Sequence, residues 1–488
     1  MQIRGSDCHR SQTRAPFEPM KLLRLCALAL AALGLTSHTL PAPLVPAEFD
    51  LPSIDRAVES WLTDKGVVGL SLAIVKDGLI VHARGYGQTA LPAEGGRPVT
   101  PHTRFAIGSV TKQFTCACIL LLAEDGKLSV RDKVAKYYPN LSKAENITLL
   151  DLMNHTSGYP DYYPLDYVDR RMQKAIEPDE LLRQYAGGKL DFEPGSSYSY
   201  SNTGYILLGR VVEKVSGQSF AAFLKDRILQ PLGLTNTLFE PPPGTPGVAH
   251  GYTSFALSPP EAISPEGAGW IGAAGGIYST PTDLARWNLA LVGGKVLTPE
   301  SFAVMTKTRP LSSGKVSDYG CGLSIRSQNG RLVLSHNGAV AGFNAWNATV
   351  PSTRSALIML CNTDGGLGGL PGQIFSLLLK ESTAVPQVTG APAAETSRRL
   401  FVALQQGEFP RGEFSADFND YMTQDRITGA ARRFRSFGEP TSAEVVSSHE
   451  RGGMEVTTTR LTFKDQKLRT LMYRRTDGII EQFFIYKE

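Results

Sequence analysis

Ser109 and Lys112 have the residue types and the spacing for covalent catalysis. They form a Ser-x-x-Lys motif directly after Gly108, and the apolar run that continues through Ala123 predicts a helix buried on most of its faces. Residues at positions i and i+3 lie one turn apart on the same helix face. A serine hydroxyl is a poor nucleophile until a base accepts its proton, and a lysine can be that base only if burial or charge lowers its pKa. The motif therefore predicts a serine nucleophile with a lysine base, near helix N–H groups that can stabilise an oxyanion.

Tyr200 and Asn202 form a second motif, Tyr-x-Asn, between the turn at Pro194-Gly195 and a helix pattern. A tyrosine at a loop–helix junction can reach into a cleft and donate or accept a proton, while the asparagine orients substrate or the lysine. The run 138–140 has the same spacing, but its proline and the lack of a partner motif predict a plain turn. The second motif adds a candidate proton carrier to the predicted serine–lysine pair.

The third motif is His336-Asn337-Gly338, at the end of the strand-like run RLVLSH. Glycine there lets a substrate approach the strand edge closely, and the N–H of Ala339 can point into the site. Each motif alone is more often structural than catalytic, and Ser-x-x-Lys occurs again at 312–315 in a glycine-containing loop. Only the three motifs together, in order and on suitable elements, predict an active site.

The elements that position these motifs predict one antiparallel sheet with a helical insertion. Apolar residues recur at helical spacing between Ile54 and Leu62, which indicates an amphipathic helix. The runs LSLAIV and LIVHARGYG flank Asp77-Gly78, which indicates a β-hairpin. Strand-like runs return between 321 and 362, whereas the signals between 105 and 300 are mainly helical and loop-like. This order predicts an α/β fold in which the hairpin and the later strands share a sheet and the middle forms a helical subdomain.

The first 42 residues predict a cleavable signal peptide and an N-terminal extension. A charged stretch that begins at Met20 is followed by the short apolar run LCALALAALGL and then by small residues and prolines. The apolar run is too short to span a bilayer as a helix, so we expect no stable membrane anchor after cleavage. The expected location is outside the cytoplasm, either secreted or periplasmic, and Met20 is the expected start.

Composition shifts divide the rest of the chain into three parts. Residues 50–381 hold the three motifs and predict the hydrolase-like domain, and 382–397 is rich in Ala, Pro and Thr and predicts a linker. Residues 398–488 begin with a helix pattern and end in strand patterns, which predicts a small C-terminal α+β domain. This last domain resembles the NTF2-like type. We expect it to serve packing or dimerisation, with a homodimer through this domain as one arrangement, or to present or exclude substrate at the cleft mouth.

Charge and cysteine content exclude several classes of protein. The net charge of the 488-residue chain is +4, and residues 1–42 contribute +3 of it, so the remainder has too little charge to attract a nucleic acid. No H-E-x-x-H or paired-cysteine motif is present, so we expect no metal and no other cofactor. We interpret the cysteines of the predicted mature chain as buried thiols; they are Cys116, Cys118, Cys321 and Cys361. The expected partner is a small-molecule or peptide substrate.

The ordered set Ser-x-x-Lys, Tyr-x-Asn and His-x-Gly resembles the motifs of the penicillin-recognising serine hydrolases. This family includes class C β-lactamases, DD-carboxypeptidases, D-aminopeptidases and related esterases. The stretches LLDLMNHTSGYPDY, PGSSYSYSNTGYILLGRVVEKVSG and GAAGGIYSTPTDLARW are similar too, so that the resemblance covers roughly residues 50–380. It implies a β-lactamase/transpeptidase-like fold: an antiparallel sheet flanked by helices, a helical subdomain, and a cleft between them.

The resemblance also implies a role for each motif residue. Ser109 would be the nucleophile, Lys112 its base, and Tyr200 the relay that carries a proton to the leaving group. The oxyanion hole would be the N–H groups of Ser109 and Ala339. The implied substrate-binding residues are Asn202, His336, Asn337 and Gly338.

The third motif departs from the Lys-Thr-Gly of β-lactamases in a way that bears on substrate. His336 replaces the lysine and is neutral at its ordinary pKa, while Asn337 and Ala339 lack the threonine hydroxyl that helps to bind a substrate carboxylate. This argues against an efficient β-lactamase and favours D-amino-acid peptides and amides, or esters. The competing interpretation is a non-catalytic, penicillin-binding-protein-like binder of cell-wall fragments or of a protein partner.

Overall fold

The structure is a computed structural model that describes residues 49–165, 167–254, 258–379 and 385–488. The signal peptide and extension predicted at 1–42, with the expected start at Met20, lie outside these residues. Within the described ranges, no helix has the length and apolar character needed to cross a membrane.

The described chain contains fifteen strands and thirteen α-helices. In chain order the strands are β1 (Gly69–Lys76), β2 (Leu79–Gly87), β3 (Phe105–Ala106), β4 (Leu238–Phe239), β5 (Tyr252–Thr253), β6 (Glu261–Ala262), β7 (Ile277–Ser279), β8 (Ser324–Gln328), β9 (Arg331–Val340), β10 (Phe343–Val350), β11 (Ser355–Cys361), β12 (Ser442–Arg451), β13 (Met454–Thr462), β14 (Lys467–Arg474) and β15 (Ile480–Lys487). The helices are α1 (Leu51–Lys65), α2 (Thr111–Glu124), α3 (Leu149–Met153), α4 (Pro178–Tyr185), α5 (Asn202–Ser216), α6 (Phe220–Leu224), α7 (Gly272–Gly275), α8 (Pro281–Val292), α9 (Pro299–Met305), α10 (Leu370–Leu379), α11 (Ala393–Gln406), α12 (Ala416–Tyr421) and α13 (Gln424–Phe434).

Six strands form the main sheet, in the order β2-β1-β11-β10-β9-β8, and every neighbouring pair is antiparallel. The hairpin β1–β2 turns at Asp77-Gly78, where the sequence predicts it. Helices α2–α9 all lie between β2 and β8 in the chain and form the helical insertion. The predicted fold class, an α/β fold with an antiparallel sheet flanked by helices, is confirmed.

Both faces of the main sheet are buried at β1, which explains the continuous apolar run in this strand. Leu72 and Ile74 of β1 point into a core shared with α1 and α10. Ala73 and Val75 point the other way, into the larger core that contains α2 and α8. The sheet therefore lies between two sets of helices.

Helix α2 is the central element of the larger core. All of its residues from Thr111 to Leu122 are buried, and it packs against α5, α7 and α9. The turn that precedes it, Gly108–Val110, contacts β9 of the main sheet. Anything at the start of α2 thus lies between the sheet and the helical insertion.

The C-terminal strands form a separate antiparallel meander, β12-β13-β14-β15, accompanied by α11–α13. Apolar residues of 393–488 pack into two clusters of their own. The strands near the C-terminus and the helix around Phe401–Leu404 lie where the sequence predicts them. Helices α12 and α13 were not predicted. Strand β12 was not predicted either, because this half-exposed edge strand carries mostly polar residues without a clear alternation.

The predicted linker ends earlier than expected. Helix α11 begins at Ala393, directly after Pro392, so residues 393–397 of the segment predicted as a linker are helical. Thr396 and Ser397 are buried in this helix, which packs against β12 and β13. The division of the chain into two domains at this segment stays a prediction.

Candidate active site

Ser109 lies in a 3₁₀ turn, Gly108–Val110, between strand β3 and helix α2. Gly108 has a φ of +49°, and a Cβ atom on it would lie 2.8 Å from the backbone nitrogen of Ala339 in β9. Glycine meets both constraints, because it tolerates a positive φ and has no Cβ. The half-buried Ser109 is therefore held at the N-terminal end of α2, against the sheet.

The side chain of Lys112 is fully buried, and its Nζ atom has three hydrogen-bond partners. They are Asn202 Oδ1 at 2.7 Å, the Ala274 carbonyl at 2.8 Å and Ser109 Oγ at 3.1 Å. The first two groups can only accept a hydrogen bond, whereas a hydroxyl can also donate. A neutral amine has two N–H groups and one lone pair, so it can satisfy both acceptors and direct its lone pair at the Ser109 hydroxyl.

Burial also provides the neutral amine. Desolvation lowers the pKa of Lys112 from its ordinary value of 10.5 to about 7, although the Asp161 carboxylate opposes this shift. Above neutral pH, the uncharged form therefore prevails. The two residues of the predicted serine–lysine pair are thus close in space, within hydrogen-bond distance of each other.

Asn202 is the first residue of helix α5, and its amide is fixed from both sides. Its Oδ1 atom accepts from Lys112, while its backbone N–H and its Nδ2 group donate to Oδ1 of Asp161 at 3.0 and 3.1 Å. These contacts orient the amide so that an oxygen faces the amine. Asp161 was not predicted as a site residue.

Tyr200 lies in the loop before α5, and the centre of its ring is 4.8 Å from Lys112 Nζ. Burial raises the pKa of Tyr200 above its ordinary value, and the nearby Ser109 hydroxyl partly opposes this rise. The group is therefore a neutral phenol throughout the working pH range. The ring of His155 packs against that of Tyr200, with ring centres 4.2 Å apart, and accepts a hydrogen bond from the Ser201 N–H, which fixes this loop.

The edge of β9 beyond Ser335 is not paired with β8, so its backbone faces the start of α2. Val340 and Phe343 flank a two-residue hairpin loop and form a hydrogen-bonded pair, which makes the next pair, Ala339 and Asn344, a non-hydrogen-bonded one. The N–H of Ala339 therefore points away from β10 and towards the turn that contains Ser109. The Ser109 N–H belongs to the first turn of a helix, where no intrahelical acceptor exists.

His336 is buried and is held by partners on both ring nitrogens. Nδ1 lies 2.6 Å from the Asn337 carbonyl and Nε2 lies 2.8 Å from the Tyr319 hydroxyl. Burial and the proximity of Lys112 lower the pKa of His336 from 6.5 to about 3. The third motif thus presents a neutral ring. Tyr319 was not predicted as a site residue.

A cavity of about 800 Å³ opens over these groups. Its lining includes most of the predicted site residues, namely Ser109, Tyr200, Asn202, His336, Asn337, Gly338 and Ala339, whereas Lys112 lies beneath it with no exposed surface. Its charged lining residues, among those the structure describes, are Asp161, Arg326 and Asp364. Arg326 is already paired with Asp318 at 2.9 Å. The cavity wall therefore combines aromatic and apolar side chains with polar groups, and two of its three charged residues in the described ranges are acidic.

Three residues at this site were not predicted from the sequence: Asp161, Ala274 and Tyr319. The first two lie inside stretches that carry the family resemblance, but neither has a local signature of its own. Tyr319 is in an irregular segment before β8. By contrast, the second Ser-x-x-Lys copy at 312–315 lies in an exposed loop, as its glycine suggests.

No group of three or more His, Cys, Asp or Glu side chains in the described ranges is arranged to hold a metal ion. The four cysteines interpreted as buried thiols are free and buried, which confirms that interpretation. Burial raises the pKa of each thiol.

A family model and a related protein both match most of the chain, and the match to the model includes the three motifs. Residues 54–376 match the family model described as Beta-lactamase. The chain is 26% identical over 344 residues to a D-aminopeptidase of Brucella anthropi, covering 69% of this chain and 64% of that protein.

Solved structures show the same fold. The D-amino acid amidase of Ochrobactrum anthropi SV3, complexed with L-phenylalanine amide, matches with a TM-score of 0.58 at 25% identity, over 67% of this chain and 97% of that one. An octameric penicillin-binding protein homologue from Pyrococcus abyssi matches with a TM-score of 0.59 at 22% identity, over 90% of this chain and 100% of that one.

Proposed function

Because the chain belongs to the Beta-lactamase family of serine hydrolases, we propose that it cleaves its substrate through an acyl-enzyme on Ser109. The observation that carries this proposal is the set of contacts around Lys112 Nζ. Two obligate acceptors hold its N–H groups, so the lone pair of the neutral amine faces the Ser109 hydroxyl.

In the acylation step, Lys112 accepts the Ser109 proton while Oγ attacks the substrate carbonyl carbon. The negative charge that develops on the carbonyl oxygen is stabilised by the N–H groups of Ser109 and Ala339. The tetrahedral intermediate then expels the amine or alcohol, which receives a proton from the Tyr200 hydroxyl. Lys112 returns its extra proton to Tyr200, so that both groups end as they began.

In the deacylation step, a water molecule attacks the ester on Ser109, and its proton passes to the neutral amine of Lys112. Collapse of the second intermediate releases the acid and returns the proton to Ser109 Oγ. Splitting the reaction in this way replaces one difficult hydrolysis by two easier steps. Tyr200 acts as a proton relay and not as a phenolate base, because burial holds its proton firmly.

The proposed substrates are peptides or amides of D-amino acids, with esters as the second class. The D-aminopeptidase relative and the D-amino acid amidase neighbour support the first class. A neutral His336 also favours substrates that need no cation to bind a carboxylate. Asn202, with Asn337 and Gly338 on the strand edge, would position the acyl group.

Labelling of Ser109 by an acylating probe tests the proposal. Wild-type protein is treated with a fluorophosphonate, and the adduct is located by intact-mass and peptide mass spectrometry. We expect one adduct, on Ser109, together with loss of turnover in Ser109→Ala by about 10³-fold or more. The matched control is Ser312→Ala, which removes the hydroxyl of the other Ser-x-x-Lys copy and should leave labelling and turnover unchanged. A wild-type protein that forms no adduct with any acylating probe would support a non-catalytic binder instead.

Export and self-association are also part of the proposal. The charged and apolar run after Met20 supports secretion or transfer to the periplasm, which N-terminal sequencing of the exported protein tests.

A homodimer through the C-terminal region is supported by the edge strand β12, on which Val445 is 40% exposed. Light scattering of the purified chain measures the oligomeric state.

A further inference from the structure

Tyr319 and His336 form a buried pair that the proposed acyl transfer does not use. The Tyr319 hydroxyl is 2.8 Å from His336 Nε2, and the two ring centres are 5.6 Å apart. Tyr319 is 3% exposed and His336 is 7% exposed. Both residues line the cleft next to the predicted nucleophile.

The direction of these hydrogen bonds follows from their chemistry. The Asn337 carbonyl can only accept, so the proton of the neutral imidazole is on Nδ1. Nε2 then carries a lone pair, and the Tyr319 hydroxyl must be the donor. Protonation of Nε2 would force this hydroxyl to turn from donor to acceptor.

The surroundings of the ring also oppose a positive charge. The groups that face His336 are the amine of Lys112, the phenol of Tyr200, the imidazole of His155 and Tyr319 itself. Each is either neutral or cationic at neutral pH. No carboxylate of the described chain is among the groups that act on this ring.

We propose that Tyr319 is a specificity-determining residue: by donating to Nε2 of His336, it keeps the ring uncharged and closed to substrate, so that the enzyme selects against a carboxylate on the leaving group. The inference rests on the proposed function of the same site. It identifies the substrate class as acyl donors whose leaving group is neutral or cationic. The charged lining of the cavity fits this class, because Arg326, its basic member, is paired with Asp318.

Two peptides that share one scissile bond test this selectivity. The first is an N-acylated D-Ala-D-Ala with a free carboxylate, and the second is the same compound with a C-terminal amide. For the wild type, we expect kcat/KM to be at least about tenfold higher for the amide, which is the effect of one modest ionic contact. Equal values, or a preference for the carboxylate, would overturn the proposal.

The variant Tyr319→Phe retains the ring and removes the donor. Its preference for the amide should shrink, because Nε2 of His336 loses its hydrogen-bond donor and becomes open to a proton or to the substrate. Protonation of Lys112 affects both substrates alike, so the ratio of their kcat/KM values isolates the effect of His336. A purely structural role for Tyr319 would lower both values by the same factor and contradict the proposal.

The matched control is Tyr198→Phe. Tyr198 belongs to the same aromatic cluster, with its ring centre 6.0 Å from that of Tyr319, and it also lines the cavity. No hydrogen bond joins it to His336, so we expect the wild-type ratio in this variant. A change as large as that of Tyr319→Phe would show that any lost hydroxyl has the same effect.

An NMR measurement separates this inference from the proposed function and from any folding defect. The ¹⁵N shifts of the His336 ring in the wild-type protein, assigned with His336→Gln, should show a proton on Nδ1 alone at neutral pH. A proton on Nε2 would overturn the inference even if Ser109 is labelled normally. The opposite result is also informative. If the proton is on Nδ1 but Ser109 forms no adduct with the probe, the hydrogen bond from Tyr319 is supported and the proposed acyl-enzyme is not.

Discussion

The variant Asp161→Asn tests how the protein sets the basicity of Lys112. The Asp161 carboxylate is joined to the amine through the Asn202 side chain, by hydrogen bonds of 3.1 Å and 2.7 Å. When the width of the Asn202 amide is added to these two distances, the carboxylate and the ammonium are at most about 8 Å apart. At an effective dielectric constant near 20, the attraction between the two charges is then about 2 kcal/mol. Asp161 is partly exposed, and solvent screening reduces this to about 1.4 kcal/mol, a tenfold effect on the protonation equilibrium.

The sign follows from the charge. The carboxylate stabilises the ammonium form and raises the pKa of Lys112, so its removal favours the neutral base at lower pH. The acidic limb of the kcat/KM profile lies near pH 7 in the wild type and should move down by about one pH unit in Asp161→Asn. The assay is hydrolysis of a p-nitrophenyl ester between pH 5 and 9, with the product read at its isosbestic wavelength.

The control for a general effect of charge is Asp364→Asn. Asp364 lines the same cavity, but no hydrogen bond joins it to Asn202. We expect its acidic limb to stay within a few tenths of a pH unit of the wild type. An unmoved limb in Asp161→Asn, or one that moves to higher pH, would refute the assignment of Lys112 as the titrating base.

Further predictions concern the base and the oxyanion site. Lys112→Arg should lose turnover by about 10³-fold or more at every pH, because a guanidinium cannot accept a proton; turnover close to the wild type would remove lysine from the mechanism. Gly338→Ala should lower kcat by about 10²-fold, the cost of one displaced oxyanion donor, because its Cβ would lie 1.9 Å from the Ile107 carbonyl oxygen. In the control Gly365→Ala, the new Cβ has no atom within 4 Å, so kcat should not change, and equal losses in the two variants would show that the contact at Gly338 is not the cause.

The motif residues were predictable because each lies at a recognisable junction of local structure. Ser109 opens an apolar helix, Tyr200 precedes another that Asn202 begins, and His336 ends the strand-like run RLVLSH of the sequence, although strand β9 continues to Val340. Such junctions leave marks in hydropathy and turn residues. The order of the motifs in the chain then predicted that they form one site. Their distances in space could not be predicted from their spacing in the sequence.

The remaining site groups depend on tertiary contacts. Ala274 contributes a backbone carbonyl, which any residue type supplies, so its identity carries no signal. Asp161 and Tyr319 contact Asn202 and His336, and these contacts form only when segments far apart in the sequence meet. For the same reason the edge strand β12 escaped prediction, since the burial that produces a clear alternation is weak there.

The complete burial of Lys112 has a consequence for the folded state as a whole. A lysine in the unfolded chain holds its proton to about pH 10.5, whereas the folded chain releases it near pH 7. Between these values the unfolded state binds more protons, so conformational stability rises with pH across this window. At neutral pH the dry amine lowers the free energy of unfolding by several kcal/mol, on the order of 3–5. The residue that would activate the nucleophile thus also weakens the fold, and the well-packed helix around it must offset that loss.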